Sequence, residues 1–123
     1  MEDRYPIPDM ADVELVDVLR ALADPVRLDI VRLLGDGEPH LKSDCVAERP
    51  DLHKSTYSHH FKTLREAGVT RMIVEGRSHQ IRLRKDELAA RFPGLLDSVL
   101  AQGPTTLTRE FLTDPGAAPD SSD

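Results

Sequence analysis

The 123-residue sequence contains no tryptophan, and aromatic residues make up only 4% of it. Its core must therefore be assembled from Leu, Val, Ile and Ala, which suits a mainly α fold with little sheet. A single cysteine, Cys45, excludes an intramolecular disulfide and any cysteine-rich metal site within one chain. No apolar run approaches the roughly 18 residues of a membrane span. The acidic start Met1-Glu2-Asp3 also lacks the basic and apolar regions of a secretory signal, so a cytoplasmic protein without a membrane partner is expected. The length leaves room for one core and hence one domain.

Basic charge is also in deficit, with 16 Lys and Arg against 22 Asp and Glu and a net charge of −6. Taken whole, that balance argues against a polyanionic partner. Its distribution argues the other way. Residues 41–84 carry nine basic and five acidic groups, whereas 1–24 carry two and seven, and 85–123 carry three and seven. His53, His59, His60 and His79 lie in the same middle segment, where each can add positive charge beside a phosphate. A basic centre between acidic ends suits one nucleic-acid-facing edge on an otherwise repelling body.

Residues 1–9, with Pro6 and Pro8, read as an irregular arm, 10–102 as the domain, and 103–123 as a largely disordered tail with at most a transient turn over Thr108 to Leu112. A first helix is expected from Met10 to Ala23. Its apolar positions Val13, Leu15, Val16, Val18, Leu19 and Leu22 cover more than one stripe, so a second face seeks a partner. Asp24-Pro25 signals a capped helix from Pro25 to Leu34, buried through Val26, Ile30, Leu33 and Leu34, with Gly35 as its left-handed stop. A brief helix over about 43–48 would turn Leu41, Cys45 and Val46 inward. After Pro50-Asp51, a fourth helix runs from Lys54 to Ala67, with Tyr57, Phe61 and Leu64 on one face and Gly68 closing it. Thr70 to Val74 and His79 to Leu83 are β-compatible runs about a turn at Gly76, forming a two-stranded wing. A last helical region begins near Lys85 and carries Leu88, Phe92, Leu95, Leu96 and Val99, broken at Pro93-Gly94.

Two helices joined by a short turn, the second polar outside and followed by a hairpin, form an arrangement that reads duplex DNA. Affinity needs cations and hydroxyls at phosphate distance, and sequence choice needs short donors and acceptors that reach base edges. The polar face of the fourth helix supplies both. Leu22-Ala23-Asp24-Pro25-Val26-Arg27-Leu28 and the stretch from Lys54-Ser55-Thr56-Tyr57-Ser58-His59-His60 to Ala67-Gly68-Val69, followed by Glu75-Gly76-Arg77, resemble the signature stretches and wing tip of the ArsR/SmtB family of bacterial repressors. The likeness covers about residues 12 to 100. It departs from the family pattern at His53 and Lys54, which replace a Ser-Gln pair, and at Tyr57 and Phe61, which replace smaller aliphatic residues. Phe92-Pro93-Gly94-Leu95-Leu96 resembles one subgroup.

The resemblance implies a winged helix-turn-helix homodimer, packed through its first and last helices, that represses an inverted-repeat operator until a signal releases it. It implies Ser55, Thr56, Ser58 and His59 in the major groove, Lys54, Lys62 and Arg65 nearer the phosphates, and Arg77 on the wing. The paired faces would be Val16 and Leu19 with Leu95, Leu96 and Val99. No cofactor is implied, and a small-molecule effector stays unidentified.

Other readings compete. Tyr57 and Phe61 are aromatic residues at helical spacing, which usually means core. His59 and His60 are adjacent, point about 100° apart and do not suit one metal ion. A metal sensor would need a site shared between subunits. Cys45 is a candidate redox sensor, though a lone buried cysteine usually packs as a small apolar residue. Ser58 with His59 or His60 and Asp51 or Glu66 holds the ingredients of a nucleophile triad, without a nucleophile elbow or oxyanion loop, so no enzyme is expected. A winged helix that binds protein instead of DNA is the remaining alternative.

Overall fold

The computed structural model describes residues 5–101, so the expected tail over 103–123, with its turn at 108–112, lies outside the described residues. Among them, six α-helices and one three-stranded sheet follow in the order α1 (Leu15–Leu22), α2 (Pro25–Leu33), β1 (His40–Leu41), α3 (Lys42–Ala47), α4 (Lys54–Glu66), β2 (Thr70–Glu75), β3 (Ser78–Leu83), α5 (Lys85–Arg91) and α6 (Leu95–Ala101). None of these helices is long and apolar enough to cross a membrane. The fold is mainly helical with a small antiparallel sheet, as a winged helix requires.

The first helix is shorter than the span from Met10 to Ala23. Met10–Asp12 form a single 3-10 turn, and Val13 and Glu14 are extended. That extension seats Val13 in the core against Gly68, which ends α4 in the left-handed region at φ +90°. A Cβ on Gly68 would lie 2.4 Å from Val13 Cγ2, so both the backbone angle and the close approach require glycine.

Helix α2 starts where the cap signal places it. Asp24 Oδ1 accepts the backbone N–H of Val26 at 2.8 Å and of Arg27 at 3.1 Å, and Pro25 holds the first turn. Burial would raise the Asp24 carboxyl, but these amides and the charge of Arg27 outweigh it and hold the group below the usual range. The left-handed residue after this helix is Gly37, not Gly35, because Gly35 continues the tightening turn by donating to the Arg32 carbonyl.

The wing is the β2–β3 hairpin, paired from Thr70↔Leu83 to Glu75↔Ser78. Gly76, at φ +62°, occupies the first position of its two-residue turn. The sheet has one strand more than the wing, because His40↔Ile81 and Leu41↔Gln80 pair β1 with β3. This edge position leaves Leu41 exposed and corrects its expected inward contact, while Cys45 one turn on is buried.

Helices α1, α2 and α4 pack on one another, α4 also covers β2, and α6 reaches back to α2. Val18, Leu22, Ile30, Val31, Leu34, Tyr57, Phe61, Leu64, Ile81, Leu83 and Leu88 form the core. The break at Pro93-Gly94 separates α5 from α6 and turns Leu96 inward. At 3% exposure Leu96 belongs to the protomer's own core, which corrects its expected place at a dimer interface. Leu95 and Val99 are half-buried, whereas Val16 and Leu19 stand 56% and 46% exposed.

Candidate nucleic-acid interface

Helices α3 and α4, joined through residues 48–53, are the helix-turn-helix, and the amphipathic pattern of α4 decides what it presents. Tyr57, His60, Phe61 and Leu64 recur at i, i+3, i+4 and i+7 and are buried. Tyr57 and Phe61 stack with ring centroids 5.7 Å apart, so the aromatic pair is core. On the other side Ser55, Ser58, His59 and Lys62 recur at the same spacing and are exposed, with Lys54 exposed at the helix start. Two hydroxyls, an imidazole and two ammonium groups thus share one outward stripe. The major groove of duplex DNA, about 12 Å wide, admits a helix, and it offers base edges to short donors and acceptors and phosphates to ammonium groups. Thr56 is half-buried at the margin of this stripe.

Arg65 is set apart from it. The side chain is half-buried, its guanidinium lies 5.3 Å from the Tyr5 ring centroid, and Nε has no hydrogen-bond partner. Tyr5 also meets the His79 ring edge-on at 6.0 Å, and Arg84 Nη1 donates to the Pro8 carbonyl at 2.9 Å. The arm is thereby fastened beside the wing, a role for Tyr5 that no periodicity in the sequence signals.

The basic centre divides into structural and exposed cations. Arg49 pairs with Asp51 at 3.2 Å, Arg84 with Glu87 at 2.9 Å, and Arg82 donates to the Gly37 carbonyl. Lys54, Lys62, Arg71 and, at the hairpin turn, Arg77 are exposed. His53 and His59 are exposed as well, but His60 is not, which corrects the expectation that each middle histidine can carry charge. Burial pushes the His60 imidazole below its ordinary range, with Arg27 and His59 adding to the effect and Asp24 opposing it. His60 Nδ1 lies 3.0 Å from Arg27 Nη1, and Asp51 is held by Arg49, so both are engaged away from Ser58.

Cys45 is 2% exposed, and burial first, then Asp44 and Glu48, pushes its thiol up to about 11. A thiol held protonated is a poor nucleophile, which weighs against redox sensing.

Residues 22–73 match a family model described as a helix-turn-helix domain, a span that runs from the end of α1 into β2. The chain is also similar to the uncharacterized HTH-type transcriptional regulator YceK of Bacillus subtilis (strain 168). The two are 38% identical over 82 residues, which span 67% of this chain and 82% of that relative. With the reading helix and wing in place, that similarity settles the family: the chain belongs to the helix-turn-helix transcriptional regulators.

Proposed function

We propose that the protein is a winged helix-turn-helix repressor of the ArsR/SmtB type that occupies an inverted-repeat operator as a homodimer. The outward stripe of α4 carries this reading, because Ser58 and His59 are short enough to read base edges while Lys62 is long enough to reach phosphate. In this reading Ser55 and Thr56 contribute hydroxyls to the groove, Lys54 flanks it, and Arg77 carries charge to the next phosphates from the hairpin turn. Arg65 stands behind Tyr5 and is left out of the contact set.

A homodimer is supported by Leu15, Val16 and Leu19, which form an exposed apolar face on α1. Half-buried Leu95 and Val99 on α6 are the proposed partners of that face in the assembly. Two-fold symmetry would then present two α4 stripes to two half-sites.

Selection of genomic fragments by the purified protein tests the reading. Enrichment of an inverted repeat is expected, and the absence of any enriched sequence would favour the protein-binding alternative. If the dimer engages about eight phosphates, the slope of log affinity against log salt should be about −7. Ser58→Ala and His59→Ala should narrow the gap between operator and random DNA, whereas Lys62→Ala should weaken both alike. Equal losses in all three would remove the base-reading assignment.

A further inference from the structure

Behind the outward stripe, α2, α3, α4 and the end of α6 line a half-open cavity of about 520 Å³. Small-molecule sites typically occupy about 300–1,000 Å³. Val26, Ile30, Leu33 and Leu100 supply apolar walls, Arg32, Arg49 and Tyr57 line the same space as donors, and the carboxylates of Asp29 and Glu48 line it with them. Tyr57 is 1% exposed, and its hydroxyl, which lies beside the Arg49 backbone amide, donates to no acceptor. Arg32 Nε and Nη1 are buried in the same condition. Nη1 lies 3.5 Å from Asp29 Oδ1, where charge attraction survives but no hydrogen bond forms. Buried polar atoms nearly always have hydrogen bonds, so a hydroxyl and two guanidinium nitrogens without them in one cavity need an explanation, even with Arg32 ion-paired to Asp29.

Burial pushes the Tyr57 hydroxyl up, against a smaller pull from Arg49, so it stays protonated and able to donate. The guanidinium offers only donors. The missing partner is therefore an acceptor, and the planar fork of Arg32 matches a carboxylate best. We infer that this cavity binds a small apolar carboxylic acid, its carboxylate held by Arg32 and the Tyr57 hydroxyl and its hydrocarbon body by Val26, Ile30, Leu33 and Leu100. Tyr57 and Ser58 are consecutive on α4, the first buried against the cavity and the second exposed on the outward stripe, so a ligand that draws on Tyr57 also repositions that stripe. That regulatory consequence rests on the DNA-binding reading above, whereas the site itself does not.

Calorimetry on the full chain with octanoate as probe, and octylamine as the same hydrocarbon with a donating head, tests the site. Saturable one-to-one octanoate binding is expected, with octylamine weaker by about tenfold or more and a comparable loss of octanoate affinity in Tyr57→Phe and in Arg32→Leu. Without octanoate, Tyr57→Phe should melt above the parent because it deletes an unsatisfied hydroxyl, and octanoate should then raise its Tm less. Octylamine binding as tightly as octanoate, unchanged octanoate affinity in both variants, or no saturation by about 1 mM would overturn the site. Nuclear Overhauser contacts from the Tyr57 ring to residues beyond Ala101 would assign the chamber to the chain's own continuation, with the same consequence. DNA binding without octanoate, followed in parallel, separates the two readings. A bound carboxylate on a protein with no DNA affinity sinks the repressor reading alone, and intact DNA binding without octanoate binding sinks the ligand site alone.

Discussion

Arg27 donates from Nη1 to His60 Nδ1 at 3.0 Å and joins α2 to α4 across 33 positions of sequence. A guanidinium has no acceptor, so Nδ1 accepts and the ring is neutral, with its proton on Nε2. Through Nε the same arginine donates to the Ala21 carbonyl at 2.7 Å, which brings the end of α1 into the junction. The reading helix is thus tied to the scaffold by a histidine that must stay uncharged.

That requirement sets a pH dependence. In the unfolded chain His60 takes up a proton near the ordinary imidazole value of about 6.5, whereas the folded chain, with the pKa lowered, takes it up only further down. Between the two values the unfolded state binds more protons, so stability falls as pH falls. Thermal melts from pH 7 to pH 5 should show this decline. His60→Gln, whose amide oxygen accepts from Arg27 without titrating, should flatten it, and parallel curves would refute the assignment.

Asp24→Ala removes the acceptor of two amides at the start of α2 and should cost about 1 kcal/mol, lowering Tm by about 4–8 °C. Asp24→Asn keeps an accepting oxygen and should lose less. The carboxyl is depressed in the fold, so its charge stabilises fully above the ordinary carboxylate value and ceases to do so as pH falls through the folded value. The stability gap between the parent and Asp24→Asn should therefore close below about pH 4.

Gly68→Ala places a methyl 2.4 Å from Val13 Cγ2 on a backbone at φ +90°. Strain and overpacking together should cost about 2–4 kcal/mol in a urea denaturation series. Val13→Ala removes the atoms that the new methyl meets, so the double variant should lose less than the two single losses added together.

Leu19→Glu and Leu96→Glu should behave differently because one side chain is exposed and the other is core. If the proposed dimer forms through α1, Leu19→Glu should keep its helical circular dichroism while sedimentation equilibrium shows the mass falling from dimer to monomer. Leu96→Glu should lose the helical signal itself, since it buries an uncompensated charge inside the protomer. An unchanged mass in Leu19→Glu would place the dimer face elsewhere.

Much of the reading helix was legible before any coordinates. The spacing of Tyr57, Phe61 and Leu64 marks its inner face, and the outward Ser55, Ser58, His59 and Lys62 follow from the same period. His60 was legible too, because it falls three positions after Tyr57 and one before Phe61, yet its residue type drew it into the basic group. Arg65 was not legible, since the Tyr5 ring that covers it comes from an arm without periodicity. Leu41 and Leu96 were assigned to the wrong surroundings, because a hydrophobic pattern tells which face is apolar but not which element that face will meet.

Sequence by itself determined the elements whose causes lie within a turn of the chain. Asp24-Pro25 starts a helix, Gly76 permits the hairpin, and Pro93-Gly94 divides the last helical region, each through backbone geometry and hydrogen bonds made by immediate neighbours. Tertiary structure alone decided which of these surfaces meet: the third strand on the wing, the neutral His60 beneath Arg27, the clasp of Tyr5 on Arg65, and the chamber holding the unsatisfied Tyr57 hydroxyl. Each depends on groups distant in the chain being packed side by side, and burial and loss of solvent arise only when that packing is complete.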